Sequence, residues 1–153
     1  MGETSTAAVE TTNYENEVRF AASPEAVYDA LSTTTGVSGW WMPASGSGAE
    51  GGELRLSFPP GPGVMRVEVA EPSSRVVWSV LTCDFMPDWV GTRIHFALRA
   101  AEDEGTVLDF RHEGLTRRLD CFDQCRQGWD FYLASLHDHV DSGVGRPGNR
   151  HER

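Results

Sequence analysis

The sequence predicts an α+β fold: one antiparallel sheet whose apolar face lies against a long C-terminal helix. Three observations carry that prediction. Apolar and polar residues alternate through a series of short stretches between Tyr14 and Glu113, the period of half-buried strands. Those stretches are joined by short, turn-rich connections, which pair neighbours antiparallel. Near the C-terminus the apolar period changes to three and four residues and holds for about five helical turns.

Each element has its own reason. "YENEVRF" puts Tyr14, Asn16, Val18 and Phe20 on one side and Glu15, Glu17 and Arg19 on the other. "SPEAVYDALS" follows, with Ser23 as N-cap and Pro24 at the first helical position. Proline costs little there because its missing N–H would have no intrahelical partner. Beyond a glycine-rich turn come "ELRLSF", "VMRVEV" and "RVVWSVL", facing inward through Leu54, Leu56 and Phe58, then Met65, Val67 and Val69, then Val76, Trp78 and Val80. "PPGPG" and "EPSS" supply the turns between them. "GTRIHFALRA" buries Ile94, Phe96 and Leu98; "GTVLDFRHEG" buries Leu108, Phe110 and His112. In "DCFDQCRQGWDFYLASLHDHV" the stripe Phe122, Cys125, Trp129, Tyr132, Leu133, Leu136 and Val140 makes an amphipathic helix. Gly128 inside it costs about 1 kcal/mol against alanine, which calls for a close backbone neighbour or for open room.

The chain of 153 residues reads as one domain over 14–141, between polar tails at 1–13 and 142–153 that bury too little to offset the entropy of ordering. Thirteen basic residues against twenty-three acidic ones give a net charge of −10. That balance argues against nucleic acid, whose affinity comes mainly from neutralised phosphates. No window is apolar for the length of a membrane span. An N-terminus without an apolar run, together with three cysteines, an odd number, points to reduced thiols and a cytoplasmic location.

The order of elements resembles the helix-grip plan, a curved sheet of about six to seven strands round a long C-terminal helix with two short helices after the first strand. The chain is similar to the START and birch-pollen-allergen-like superfamily, also called SRPBCC. Within it the resemblance is to the branch labelled activator of Hsp90 ATPase homologue-like. It is carried by "F.ASPEAVYDALST", the Trp40–Trp41 pair, "GGELRLSF", "VMRVEVAEPSSRVVWS", "GTVLDFRHEGL" and "GWDFYLASLHDHV". The resemblance implies a cavity between sheet and helix and a second short helix over 33–42 at its entrance. One indole of the pair is then expected to close the sheet's edge, the other to face the cavity mouth or solvent. Fold alone does not give function in this superfamily.

Several chemistries find no complete set of residues. "GSGAEG" spells the dinucleotide fingerprint but lacks the strand before and the helix after, so it reads as a loop. No serine elbow is present. Cys121, Cys125, His137 and His139 do not converge on a metal in a regular helix, and no cofactor is implied. His112, inward on an apolar strand, is either a satisfied core histidine, a ligand contact or, least of the three, an acid–base group. His95 alternates outward. The expected ligand-binding residues are Trp40, Trp41, Trp78, Phe96, Phe110, His112, Cys125, Trp129, Tyr132 and Leu133. Three function classes follow: a carrier or sensor for a small apolar or aromatic molecule, a cyclase- or hydrolase-type enzyme using the same cavity, and a co-chaperone-like interaction module with a homodimer or other protein partner. The first is preferred, and no catalytic residue is assigned.

Overall fold

A computed structural model describes residues 13–57, 61–116 and 119–147. Phe58 and residues 1–12 and 148–153 lie outside the described residues, so the inward position of Phe58 and most of the two tails are not described further. The elements are β1 (Tyr14–Phe20), α1 (Pro24–Ser32), α2 (Thr34–Trp40), β2 (Ala44–Gly46), β3 (Glu53–Leu56), β4 (Gly63–Glu71), β5 (Arg75–Cys83), a 3-10 turn (Pro87–Trp89), β6 (Arg93–Ala100), β7 (Thr106–Glu113) and α3 (Phe122–Ser142). All seven strands form one antiparallel sheet in the order β1-β7-β6-β5-β4-β3-β2.

The alternation in sequence becomes the two faces of this sheet. Leu54, Leu56, Met65, Val67, Val76, Trp78, Ile94, Phe96, Leu108 and His112 are fully buried. Register shifts between Val64 and Met65 and between Val67 and Val69 mark irregularities in the β4–β5 ladder. Such bulges bend a strand and increase its twist, which wraps the sheet around α3.

Ser23 caps α1 as its sequence requires, its hydroxyl accepting from the Ala26 N–H at 3.3 Å. Thr33 serves twice: it ends α1, then caps α2 by accepting from Gly36 N–H at 2.9 Å. α3 begins after Cys121 and ends at Gly143, whose φ of 86° is the left-handed conformation that glycine adopts without a Cβ penalty. The Tyr14 hydroxyl donates to Asp130, tying β1 to the exposed side of α3. Burial, then the Asp130 carboxylate, raises the Tyr14 pKa.

Two local readings of the sequence change. The glycine-rich turn after α2 begins as an edge strand: Ala44, Ser45 and Gly46 pair with Leu56, Arg55 and Leu54. Three residues are too short a run for alternation to register. At the other end the chain turns back after α3 within its described part. The Arg146 N–H donates to Ser135 Oγ at 2.6 Å, and the Arg146 side chain meets Asp138.

Candidate functional site

The site is built from three segments that converge on the N-terminal half of α3. The first is the end of α2. Trp41 is its C-cap, with φ −109° and ψ −80°, neither helical nor extended. That departure from regular backbone lets adjacent side chains share a side. The Trp40 and Trp41 rings stack with centroids 5.6 Å apart and planes 12° apart. Both indoles are buried, at 0% and 1% exposure; of the two alternatives for the second indole, cavity mouth or solvent, solvent does not apply, and Trp41 lines a cleft against α3. Trp40 is fixed by its Nε1–H, which donates to the Ala30 carbonyl at 2.9 Å. The Trp40 carbonyl in turn accepts from Ser135 Oγ at 2.9 Å.

The second segment is the β5–β6 connection, "CDFMPDWVGT". Pro87 opens a 3-10 turn and Gly91, at φ +89°, closes it. The turn drives Trp89 into the core, where it lies parallel to Trp129 at 5.6 Å and 3°. Sequence reading missed Trp89 because proline, aspartate and glycine around it mark a turn. The signal that could have found it is the density of large apolar residues in "FMPDWV", unusual for a surface loop.

The third segment is α3 itself, which contributes Gln124, Cys125, Gly128, Trp129 and Tyr132. All five tryptophans of the chain meet around it. Trp78 stacks on Trp41 at 5.8 Å and 7°, and Trp41 meets Trp129 at 5.1 Å. Phe96 sits edge-on to Trp78 at 4.9 Å and Phe110 lies 4.5 Å from Trp129. Aromatic pairs of this kind contribute about 0.5–1.5 kcal/mol each beyond their buried area. Among the described residues the Trp78 Nε1–H is a buried donor without a hydrogen-bond partner.

His112 is held within this aromatic packing. The Trp129 Nε1–H donates to His112 Nδ1 at 3.0 Å, and His112 Nε2 lies 2.8 Å from Thr92 Oγ1. Since Nδ1 accepts, the proton of the neutral ring sits on Nε2 and is donated to Thr92 Oγ1. The Thr92 hydroxyl in turn donates to the Trp89 carbonyl at 2.6 Å. Burial pushes the His112 pKa down to about 3, with the His95 charge adding to it. A neutral imidazole with both nitrogens engaged orients Trp129 and the turn carrying Trp89 and Thr92. His95, half-buried rather than fully exposed, pairs outward with Glu113 at 2.8 Å. That hydrogen bond lowers the Glu113 pKa.

The indoles therefore occupy much of the space expected to be hollow. Beside them, among the described residues, lies a cleft of about 80 Å³, walled by Trp41 and Met42, by Phe85, Met86 and Trp89, and by the α3 residues. Of the ten residues expected to bind a ligand, Trp41, Cys125, Trp129 and Tyr132 line this cleft. Trp40, Trp78, Phe96, Phe110, His112 and Leu133 are buried in the packing around it, none more than 2% exposed. Gly128 faces the cleft, and a Cβ built there would meet nothing within 4 Å. The Cys125 thiol accepts from Trp89 Nε1–H at 3.2 Å, and burial raises its pKa. No group of three or more His, Cys, Asp or Glu side chains among the described residues could hold a metal ion. No described helix is long and apolar enough to cross a membrane.

Comparison with known proteins agrees with this architecture. A solved dimer of Aha1 from Colwellia psychrerythraea is 30% identical, matches 88% of this chain and 99% of its own, and superposes with a TM-score of 0.77. A Bacillus halodurans protein is 23% identical over 84% of this chain and 96% of its own, with a TM-score of 0.70. CalU16 from Micromonospora echinospora is 20% identical over 82% and 72%, with a TM-score of 0.66. At those two lower identities the likeness is one of fold. No curated protein matches the sequence significantly. The profile of the family described as activator of Hsp90 ATPase homolog 1-like protein matches residues 21–141. The span it matches runs from the end of β1 through nearly all of α3, and with the Colwellia relative it establishes that the chain belongs to this family, within the SRPBCC superfamily.

Proposed function

We propose that the chain is a binding module, a carrier or sensor, for a small apolar or aromatic group held in the cleft between Trp41, Trp89 and the open side of Gly128. The observation that carries this reading is the empty space at Gly128. Glycine in a helix interior costs about 1 kcal/mol against alanine. Where close packing demands glycine, a neighbour stands where its Cβ would be; here that position borders a void. The walls are indole, phenyl and thioether groups, which favour stacking and dispersion contacts. Pockets for drug-sized molecules enclose roughly 300–1,000 Å³. A cleft of about 80 Å³ therefore suits a single ring or a short hydrocarbon segment, unless Met42 and Met86 give way.

Saturation-transfer NMR with benzyl alcohol tests the proposal. The unmodified protein is expected to transfer magnetisation to the ring. Gly128→Leu, which fills the void from the helix side, is expected to abolish that transfer while keeping a cooperative thermal transition. Equal transfer in both proteins would overturn the reading.

A second reading is self-association, favoured by exposed apolar side chains on either side, in the sequence, of the turn that carries Trp89. Leu81 and Val90 are two of the three large apolar side chains exposed among the described residues, at 38% and 52%. They flank the turn that carries Trp89. The relative from Colwellia is a dimer. Sedimentation equilibrium decides: a dimer that Val90→Asp dissociates supports this reading, and a monomer across the accessible concentrations removes it.

A further inference from the structure

We propose that Cys121 and Cys125 form a redox-active dithiol beside the cleft, the site at which a low-molecular-weight disulfide oxidises this chain. The two sulfurs lie 2.8 Å apart, with Cys125 as donor. That is within about 1 Å of the ~2.05 Å length of a disulfide bond. Their backbones are already coupled, since the Cys125 N–H donates to the Cys121 carbonyl at 2.8 Å. Cys121 is the residue before the first turn of α3, with φ −82° and ψ 0° and no side-chain capping bond. It can turn toward Cys125 without displacing a residue of the helix or surrendering a cap.

The surroundings give the two thiols different parts. Cys121 is the more exposed, at 9% against 4% for Cys125, and is the first to meet a reagent. Burial raises the pKa of both thiols, so each rests protonated and reacts through the small fraction that gives its proton to solvent; at Cys125 the Trp89 Nε1–H acts against that rise. The Cys121 thiolate attacks one sulfur of the small disulfide, forming a mixed disulfide and expelling one small thiolate. That thiolate takes up the proton Cys121 gave to solvent. Cys125 then loses its proton and attacks the Cys121 sulfur, expelling the second small thiol. Two protons and two electrons pass from the protein to the reagent, which leaves as two thiols. The new bond takes up the Cys125 sulfur that accepts the Trp89 Nε1–H, and the Trp89 ring lies against Trp129 and lines the cleft.

The inference does not depend on whether the cleft holds a ligand. The full chain is equilibrated with reduced and oxidised glutathione, both native and in urea, then quenched, alkylated and cut with trypsin. Residues 119–126, between Arg118 and Arg126, carry both cysteines on one peptide. A native pair of high effective concentration is expected to shift the equilibrium roughly tenfold toward the disulfide peptide, which escapes alkylation and is two hydrogens lighter than the uncapped dithiol, relative to the unfolded chain. Cys83→Ser is expected to oxidise in the same way. A native shift no larger than that in urea, or loss of oxidation in Cys83→Ser, would overturn the proposal.

Discussion

Along the C-terminal half of α3, glycines bring backbone into contact. A Cβ at Gly39 of α2 would stand 2.3 Å from the His139 ring, and one at Gly145 would stand 2.4 Å from the Gly39 carbonyl oxygen. Ser135, fully buried, bonds to Trp40 and Arg146 across the same seam. Along the N-terminal half, Gly128 has no atom within 4 Å of its missing Cβ. The helix is thus clamped at its C-terminal half, while in its N-terminal half the Gly128 position stays clear between the packed Cys125 and Trp129 side chains. The same residue type closes one seam and leaves the other open, and only the neighbours distinguish the two.

The largest effect is expected from Trp40→Ala. Trp40 is fully buried, stacks on Trp41 and bonds to Ala30. Removing it leaves a cavity and an unpaired carbonyl, a loss of about 3–5 kcal/mol in chemical denaturation. The full burial of Trp41 places it in the same class, so truncation of either indole is expected to destabilise. A loss below about 1 kcal/mol at Trp40 would mean that the clamped region tolerates voids as the cleft does.

Acid tests the group between the two regions. The unfolded imidazole of His112 takes up a proton near its ordinary pKa of 6.5, while the folded ring stays neutral down to about 3. Below pH 6.5 the unfolded state binds more protons, so stability falls as the pH falls through this window, by up to about 1.4 kcal/mol per pH unit. Urea unfolding from pH 7 to pH 4 is expected to show that slope in the unmodified protein and a flatter one in His112→Gln. Parallel slopes would show that other groups dominate and that His112 is not held neutral.

These two predictions also mark what the sequence could disclose. Alternation in "LDFRH" set His112 on the inward face, because a strand has only two faces and its neighbours Leu108 and Phe110 choose between them. Its partners Trp129 and Thr92 come from α3 and from the end of a turn, distant in sequence, and periodicity carries no information about such contacts. Ser23 and Pro24 marked the start of α1 because capping is local chemistry. Trp89 and Ser135 escaped notice for the opposite reason: a tryptophan in a proline–glycine turn and a serine in a helix both look solvent-facing until tertiary structure buries them. Gly128 was legible as an anomaly, with its meaning undecided between contact and room.

Ser135→Ala probes the clamp at smaller scale. The substitution removes the hydroxyl that donates to Trp40 O and accepts from Arg146 N–H, leaving both main-chain groups short of a partner. A loss of about 1–3 kcal/mol is expected, with faster amide exchange at Arg146 than elsewhere in the described C-terminal segment. Unchanged exchange there would mean that the return of the chain onto α3 rests on the Arg146 contacts with Asp138 and Phe131 instead.

Gly128→Ala is the smallest change and the one of opposite sign. A methyl group at this position meets nothing within 4 Å, so no strain opposes it. It should also reduce the conformational freedom of the unfolded chain and favour the helical state. Both effects stabilise, by about 1 kcal/mol at most, visible as a modest rise in the thermal midpoint. The same methyl at Gly39 would have to displace the His139 ring and is expected to gain less or to destabilise. If Gly128→Ala instead lowers stability, the space beside it is closed in solution, Trp41 and Trp89 have moved onto the helix, and the contrast between the two halves of α3 fails. If it raises stability, the glycine is retained at a thermodynamic cost that the fold does not require, which is the behaviour expected of a residue whose job is to keep a cleft open.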